Sequence, residues 1–306
     1  MRVLHIDTGR EMRGGQHQVM LLLNELRRAG HESVLLARPD GELRRAAEAG
    51  GFSVYPATLP SVWRYSSGVA IVHAHDARGH TLAAIAARRK LVVSRRVAFP
   101  VKRGVASRWK YSRAARFLAV SHFVAGQLEK SGVRREIIDI VFDGIDLEGH
   151  MGVASQASWN SQFPAVALGS ADPQKGRDLV DRAAHLAGIP IVFSTDLERD
   201  FQRASMFVYI TRSEGLGSAA LLAMRMGVPV IASRVGGLPE VIEDGKSGIL
   251  VQNDSTQLAS VMQSLQADPA RALAFIEQGR RRIADLFSGR HLVQRTLASY
   301  GRAIAG

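Results

Sequence analysis

The sequence predicts an α/β protein of two domains, each built on a parallel sheet. Short apolar segments alternate with helix-period segments along the chain, and this alternation starts afresh after an irregular stretch at residues 144–164. The 29 glycines, against 10 prolines, are spread along the chain, as is typical of many tight strand-to-helix turns. With 306 residues and a hydrophobic fraction of 46%, the chain can supply a core to each of two domains.

The first series of strands begins at residues 2–7, which form an apolar stretch typical of a buried strand. A glycine-containing loop at residues 9–15 then opens onto a helix-period segment at residues 19–28, which Gly30 ends. Further strands are expected at residues 32–36, 54–55, 70–72, 91–93, 117–120 and 140–141. Strands that alternate with helices imply parallel pairing in a doubly wound sheet.

The second series begins with a strand at residues 165–168, after a stretch rich in Gly, Ser and Asn. We place the domain boundary in that stretch, which gives domains of residues 1–150 and 151–306. Further strands are expected at residues 189–193, 206–210, 228–233 and 249–251, with helices at 178–187 and 219–226. The tail from 269 to 305 has helical spacing, and we expect its end to return towards the first domain. Ligands are expected in a cleft at the carboxyl ends of both sets of strands.

Positive charge is concentrated in the first half of the chain. The net charge is +12, and residues 1–150 contain 24 Lys/Arg against 14 Asp/Glu. Between Arg78 and Arg135 there are 15 basic residues and a single acidic one, Glu129. Such a field attracts anions, which include nucleotide phosphates, lipid headgroups, phosphorylated glycans and nucleic acid.

Cysteine is absent, which excludes a disulfide framework and a thiolate metal site. The apolar stretch at the start of the chain meets a charge at Asp7, too soon for a signal-peptide core, and no run approaches the roughly 20 apolar residues of a membrane span. We therefore expect a cytoplasmic protein, with a peripheral place on the inner face of the cell membrane as the alternative.

The most informative stretch runs over residues 213–251. A strand ends before it, a loop with Gly215 and Gly217 lets the backbone approach a ligand, and a helix then starts with N–H groups directed at that loop. A second loop of this kind, at Gly236 and Gly237, follows the next strand. Two helix starts are therefore predicted to point at one diphosphate.

This stretch resembles the retaining glycosyltransferases of family 4, which have the GT-B architecture of two facing Rossmann-like domains with an interdomain cleft. The chain has the family's Glu-Gly-x-Gly, Gly-x-Pro-Val-Ile-Ala-Ser, Gly-Gly-x-Pro-Glu and Asp-Gly-x-x-Gly-x-Leu-Val segments in order, at residues 214–217, 227–233, 236–240 and 244–251. The resemblance extends through most of the chain. In the second half it includes the Lys-Gly pair at Lys175, and in the first half the glycines at Gly14 and Gly15.

The resemblance implies a role for each matching position. Glu214 would hold hydroxyl groups of the donor sugar, His75 would line the sugar pocket from the first domain, and Lys175 would neutralise the donor diphosphate. The implied contacts with donor phosphate or sugar are Gly14, Gly15, Lys175, Gly215, Leu216, Gly217, Ser218, Gly236, Gly237 and Glu240. No cofactor and no metal is implied beyond the nucleotide-sugar substrate, because preorganised donors can stabilise a leaving diphosphate.

The chain departs from the family pattern at three places. Leu222 stands where the family has a second glutamate that binds ribose, and Ser170 stands where it has an arginine. Only 39 positions separate Lys175 from Glu214, so the second domain is predicted to lack a strand-helix unit. These departures keep open a binding or scaffold protein that has the fold without turnover.

Plainer explanations exist for several of these residues. Glu214 is also placed as a helix N-terminal carboxylate would be, and Lys175 as a solvated turn lysine. A metal site at His73, His75, His80 and Asp76 would be short of ligands, so we predict none. His73 is instead expected to be structural and buried, with His75 facing the cleft.

The basic region contains interleaved aromatic residues. It has no recognised nucleic-acid motif, so we predict no nucleic-acid partner. We predict instead that it faces a glycan or lipid-linked acceptor, or an anionic membrane, and a plain soluble basic face remains the alternative. The residues assigned to this acceptor or membrane side are Arg95, Arg96, Lys102, Arg103 and Trp109. The overall hypothesis is hexosyl transfer to a hydroxyl group in cell-envelope polysaccharide or lipopolysaccharide biosynthesis.

Overall fold

The computed structural model describes residues 1–101, 104–147 and 159–306. The chain forms two compact units, one of Met1–Gly144 with Gly289–Gly306 and one of Ile145–Ser288. The domain boundary expected at residue 150 lies outside the described residues, as do Lys102 and Arg103.

The first unit contains a seven-stranded sheet of order β3-β2-β1-β4-β5-β6-β7, in which every pair is parallel. Its strands are β1 (Arg2–Asp7), β2 (Glu32–Ala37), β3 (Ser53–Pro56), β4 (Ile71–Ala74), β5 (Lys90–Arg95), β6 (Ala114–Ala119) and β7 (Ile138–Ile140). Its connecting helices are α1 (Gly14–Arg28), α2 (Glu42–Ala49), α3 (Leu59–Ser66), α4 (Ala77–Ala86), α5 (Val105–Ser112) and α6 (His122–Lys130).

The second unit contains a five-stranded parallel sheet of order β12-β11-β10-β8-β9. Its strands are β8 (Ala165–Leu168), β9 (Ile191–Ser194), β10 (Met206–Tyr209), β11 (Val230–Ser233) and β12 (Ile249–Val251). Its helices are α7 (Arg177–Ala187), α8 (Leu197–Phe201), α9 (Ser218–Arg225), α10 (Leu238–Val241), α11 (Ser255–Gln266) and α12 (Pro269–Leu286). The predicted α/β class with two parallel sheets is confirmed.

The last helix, α13 (Gly289–Ala305), belongs to the first unit. It packs on α1, β5 and β6, and Tyr300 from its last turns is fully buried there. Leu292 and Val293 join the same hydrophobic cluster as Leu22 and Leu26 of α1. The first unit is therefore completed by a segment that follows the whole of the second unit in sequence.

Side-chain caps explain where several helices begin. Asp76 accepts a hydrogen bond from the N–H of Gly79 at the start of α4, and Ser121 accepts one from Val124 at the start of α6. Asp254 and Asp268 do the same for α11 and α12. Each cap satisfies a backbone donor that has no partner within the first turn, and α4, α6 and α11 each start just after the carboxyl end of a strand.

Within the described parts of the chain, no helix combines the length and the hydropathy that crossing a bilayer requires.

Candidate active site

The best-defined polar cluster of the second unit joins Lys175 and Glu214. Lys175 ends a short 3-10 helix, and Glu214 lies in the loop after β10. The Nζ atom of Lys175 lies 3.0 Å from Oε2 of Glu214, and the two side chains are 24% and 19% exposed. The same Oε2 accepts a hydrogen bond from the hydroxyl of Tyr209, the last residue of β10. The structure thus brings together two of the charged donor-site residues predicted from sequence and adds a third residue, Tyr209.

Gly176 explains how the lysine reaches this position. Its φ is +59°, in the left-handed region, and a Cβ atom there would lie 2.6 Å from Cγ2 of Ile210. Only glycine fits both the conformation and the contact. Asp172 caps the short 3-10 helix by accepting from the N–H of Gln174, and Gly176 then leads directly into α7.

The two glycine loops of the second unit pack backbone against backbone. A Cβ on Gly236 would lie 2.0 Å from the carbonyl oxygen of Glu214, and one on Gly237 would lie 2.2 Å from that of Gly215. The N–H of Gly237 donates to the carbonyl of Glu214 at 3.1 Å. These glycines therefore fix the Glu214 loop, and the N–H of Gly237, which the sequence analysis assigned to a diphosphate, bonds within the protein in this structure. The helix that follows these glycines, α10, has only four residues, which is too short for an anion-binding helix start.

The start of α9 has N–H groups of the kind that bind an anion. Gly217 precedes it with a φ of +113°, and a Cβ there would meet Leu238 at 2.6 Å, so glycine is required. Ser218 and the residue after it begin the helix, so their N–H groups have no acceptor within the helix. Leu216, predicted as a donor contact, is 1% exposed and packs inside the unit.

A polar network holds the start of the Glu214 loop. The N–H of Thr211 donates to Oγ of Ser233 at 2.9 Å, and that hydroxyl donates to Oδ1 of Asn253 at 2.6 Å. The side-chain amide of Asn253 donates a hydrogen bond to the carbonyl of Thr211 at 3.0 Å. These hydrogen bonds connect the end of β11 with the segments that follow β10 and β12, so the start of the loop that carries Glu214 is held in place.

The two residues that depart from the family pattern, Leu222 and Ser170, have contacts typical of a helix and of a turn. Leu222 is half-buried in α9, and Ser170 accepts a hydrogen bond from the N–H of Asp172 at 3.2 Å. Arg177 stacks its guanidinium 4.0 Å from the ring centre of Phe193. Glu240, predicted as a donor contact, lies within α10, where its carbonyl accepts from Arg282 at 2.9 Å.

Three histidines form the polar centre of the first unit. His5 and His73 face each other on β1 and β4, and His75 follows β4. Nδ1 of His5 lies 3.0 Å from Nε2 of His75, while His73 contacts the hydroxyl of Tyr300 at 2.6 Å. Burial lowers the pKa of His5 to about 3 and holds the pKa values of His73 and His75 well below the ordinary range. All three rings are therefore neutral at pH 7.

Arg96 favours one set of proton positions in this cluster. Its Nη1 lies 3.5 Å from Nδ1 of His75, and because a guanidinium only donates, that nitrogen must accept. His75 then carries its proton on Nε2 and donates to His5, which in turn donates from Nε2 to Ser33 at 3.4 Å. Both ring nitrogens of His75 thus have partners within the first unit.

The histidine cluster differs from the metal site considered from sequence. His5, His73 and His75 each offer one atom within 4.8 Å of the others, whereas His80 contacts the carbonyl of Lys110 instead. The cationic Arg96 lies against this group, and it would repel a metal ion. Hydrogen bonding within the cluster therefore accounts for these residues better than metal ligation does.

Gly14 and Gly15 form the first turn of α1, after the loop at the end of β1. A Cβ on Gly15 would meet nothing within 4 Å. Beside this turn, the Asp7 carboxylate accepts from the amide of Gln16 at 3.0 Å and from the N–H of Gly9 at 2.9 Å. Burial, with the nearby Asp76, raises the pKa of Asp7.

The residues assigned to the acceptor or membrane side separate into two environments. Arg96 is only 14% exposed and pairs with Asp143 at 2.9 Å, so it is an internal residue of the first unit. Trp109 on α5 is 48% exposed, and Arg95 is half-exposed with its guanidinium donating to the carbonyl of Phe99. Of the residues assigned to the acceptor or membrane side, Arg96 is thus largely buried in the first unit, whereas Trp109 is exposed.

Sequence reasoning missed Tyr209, Asn253 and His5. Each lies at or near the carboxyl end of a strand, where the apolar pattern marks it as an interior residue or a turn. The one available signal was position, because side chains at these strand ends meet at the ligand-binding edge of a parallel sheet.

Comparison with known proteins gives matches in both units. A family model described as Glycosyltransferase Family 4 matches residues 12–148, and one described as Glycosyl transferases group 1 matches residues 157–268. The alpha-maltose-1-phosphate synthase of Mycolicibacterium smegmatis is 39% identical over 109 residues, which cover 33% of this chain and 28% of that protein. The D-inositol 3-phosphate glycosyltransferase of Mycobacterium avium is 36% identical over 123 residues, which cover 40% of this chain and 29% of that protein. The matched segment thus spans less than a third of each of these relatives.

Solved structures resemble the chain over nearly its whole length. Anabaena Alr3699/HepE, solved in complex with UDP and glucose, has a TM-score of 0.81 at 17% identity and covers 98% of this chain and 99% of its own. A glycosyltransferase from Rickettsia africae has a TM-score of 0.82 at 16% identity, with 99% and 98% covered. At these identities the likeness shows the fold, which is the α/β fold of the GT-B glycosyltransferases.

Proposed function

Because this chain belongs to the glycosyltransferases of family 4, we propose that it transfers a sugar from a nucleotide-diphosphate donor to a hydroxyl group of its acceptor. The observation that carries this proposal is the pairing of Lys175 with Glu214 beside the start of α9. A cation, a carboxylate and a helix N-terminus there supply what a diphosphate and a sugar require.

The proposed reaction proceeds with retention of configuration at the anomeric carbon. The bond from that carbon to the diphosphate oxygen breaks, a bond to the acceptor oxygen forms, and the acceptor proton passes to the departing phosphate. Negative charge grows on the leaving diphosphate, where Lys175 and the N–H groups at the start of α9 would stabilise it. Glu214 would accept hydrogen bonds from the donor sugar. No cofactor or metal is part of this proposal.

Uridine nucleotides are the first donors to try, since the Anabaena protein was solved with UDP and with UDP-glucose. Leu222 has no hydrogen-bonding group for a ribose. We therefore expect the nucleoside to be held with less discrimination than the diphosphate. The proposed acceptor is a hydroxyl of a cell-envelope glycan or of a lipid-linked glycan.

The first experiment measures sugar transfer and donor hydrolysis with a panel of nucleotide sugars. We expect Lys175→Ala and Glu214→Ala each to lower kcat about a hundredfold, because each removes a preorganised charged contact. Lys246→Ala and Glu277→Ala are matched controls, since both side chains form exposed surface ion pairs. Equal activity in all four variants would overturn the proposed site.

A second candidate function is that of a binding or scaffold protein without turnover, and Leu222 and Ser170 are the observations that favour it. Calorimetry with UDP and UDP-glucose, together with an assay of sugar release, separates the two. A scaffold that has lost the site would bind no UDP, or would bind UDP-glucose without ever releasing sugar, whereas the enzyme binds the donor and consumes it.

For the acceptor side we propose contact between α5 and an anionic lipid surface. All eight residues of α5 are described and none is buried, and Val105 and Trp109 are 77% and 48% exposed. Arg108 adds an exposed cation to the same helix. An apolar and aromatic face beside basic groups is the composition that binds at an anionic interface.

Sedimentation with vesicles tests this contact. We expect more protein to bind phosphatidylserine-containing vesicles than pure phosphatidylcholine ones, and Trp109→Ala to reduce that binding severalfold. Trp63→Ala is the matched control, because Trp63 is also exposed, at 58%, but lies on α3. Equal binding to both kinds of vesicle would contradict the membrane contact.

A further inference from the structure

Tyr209 is buried, and its hydroxyl hydrogen-bonds to the carboxylate of Glu214. The residue is 4% exposed, and its hydroxyl hydrogen-bonds to Oε2 of Glu214. Its ring stacks on Phe207 at 5.3 Å between centres. Gly217 lies against another side of the ring, since a Cβ there would be in ordinary van der Waals contact with Cε1 of Tyr209, at 3.5 Å. The ring is therefore held on several sides and cannot follow a moving partner.

The direction of this hydrogen bond is fixed. Burial first, and the charge of Glu214 second, raise the pKa of Tyr209 well above its ordinary range. The phenol therefore stays protonated at every physiological pH, and it donates to the carboxylate.

The two oxygens of Glu214 have different surroundings. Oε2 accepts from Lys175 at 3.0 Å and from Tyr209, so both of its lone pairs are used. Oε1 accepts from the backbone N–H of Gly215 at 3.0 Å. No other donor among the described residues reaches Oε1, which leaves one of its lone pairs for a further donor such as a sugar hydroxyl.

A diphosphate competes for the lysine. Lys175 would turn its ammonium group towards the donor phosphates, and Glu214 would then lose one of the two side chains that hold it. Tyr209 cannot make that exchange, because its hydroxyl is buried and already bonded. It remains the fixed side-chain partner of Oε2 whether the site is empty or filled.

We propose that Tyr209 is a positioning residue that holds Oε2 of Glu214, so that Oε1 is presented to a hydroxyl of the donor sugar. This inference rests on the proposed function. It assigns to a strand residue the task of keeping the sugar-binding carboxylate in place when the neighbouring cation turns to the phosphates.

The test is a double-mutant cycle with Tyr209→Phe and Glu214→Ala. Tyr209→Phe keeps the ring and removes only the hydroxyl, and we expect it to lower kcat about tenfold to a hundredfold, the size of a lost hydrogen bond to a charged group. In the Glu214→Ala background the same change should have no further effect, because no carboxylate remains to be held. Tyr55→Phe, on β3 of the first unit, is the control.

Binding supplies a readout that a merely structural role would not move. We expect calorimetry to give the same UDP affinity for wild type and Tyr209→Phe, within about twofold, while the extra affinity of UDP-glucose over UDP falls in the variant. A thermal melt confirms that the variant is folded.

The outcomes separate the two proposals. Wild-type binding and transfer together with an unchanged Tyr209→Phe variant would overturn the role of Tyr209 alone. So would an equal loss in both backgrounds, or a parallel loss of UDP and UDP-glucose affinity. A wild-type protein that binds no nucleotide sugar would overturn the proposed function, and this inference with it.

Discussion

Arg96 and Asp143 show how much a single internal charge pair matters to the first unit. Both side chains are largely out of water, at 14% and 10% exposure, and Arg96 also favours one tautomer of His75. Arg96→Met would leave the Asp143 carboxylate buried without this cation, so we expect the free energy of unfolding to fall by about 3 kcal/mol in urea denaturation.

The matched control for Arg96 is Arg2→Met. Arg2 pairs with Glu32 at 2.9 Å, but the side chains are 45% and 64% exposed. Breaking this pair should cost less than about 1 kcal/mol, because water screens it. A similar loss in both variants would contradict the internal role assigned to Arg96.

The resemblance of their segments to the family's motifs singled out Lys175 and Glu214 in the sequence, and the structure brings the two side chains together. The sequence pattern was not enough for Tyr209. A tyrosine that ends an apolar strand looks like a core residue, and only coordinates show that its hydroxyl reaches a carboxylate five positions later. His5 was missed for the same reason.

At the scale of elements, the two glycine loops of the second unit form one rigid piece. Gly237→Ala would drive a methyl group into the carbonyl of Gly215, 2.2 Å away, with the Leu216 Cα atom 2.9 Å away. The backbone must then shift, so we expect a loss of about 1 to 3 kcal/mol of stability by thermal melting, together with reduced sugar transfer.

Gly126→Ala provides the comparison for Gly237. Gly126 lies inside α6, and a Cβ there would meet nothing within 4 Å. Alanine should therefore stabilise the helix by about 0.5 to 1 kcal/mol. Destabilisation at Gly126, or none at Gly237, would contradict the close-packing explanation.

The strands themselves were well predicted, because an alternation of apolar runs and helix-period segments leaves few arrangements for a parallel sheet. The edge at β9 was less exact: the strand was expected at residues 189–193 and covers Ile191–Ser194. The hydrogen-bond partner of the second glycine loop could not be predicted from the sequence either. A Gly-Gly pair gives the same pattern whether its N–H groups face a ligand or, as at Gly237, the neighbouring loop.

For the molecule as a whole, buried histidines make stability depend on pH. The pKa values of His5 and His80 are lowered to about 3, and those of His73 and His75 also lie well below the ordinary value of 6.5, in each case chiefly through burial. Between pH 6.5 and 3 the unfolded chain binds protons that the folded chain does not. The free energy of unfolding should therefore fall as the pH falls through that window, by up to about 1.4 kcal/mol per pH unit for each ring.

Urea denaturation at several pH values between 7.5 and 4.5 measures this slope. His80→Gln should reduce it by about one proton, since the amide can still donate to the carbonyl of Lys110, which His80 contacts at 3.2 Å. His17→Gln is the control, because His17 is exposed on α1. An unchanged slope in His80→Gln would show that this ring is not a source of the acid sensitivity.

The route of the chain has one more consequence. The second unit starts at Ile145 and stops at Ser288, and these two residues form a parallel bridge with each other. It is therefore a single uninterrupted insert whose two ends lie side by side, whereas the first unit is split and needs its final 18 residues to be whole. The second unit could therefore be exchanged for another domain through one pair of adjacent junctions. A chain that ended at residue 288 would keep the whole second unit, but its first unit would lack the last 18 residues.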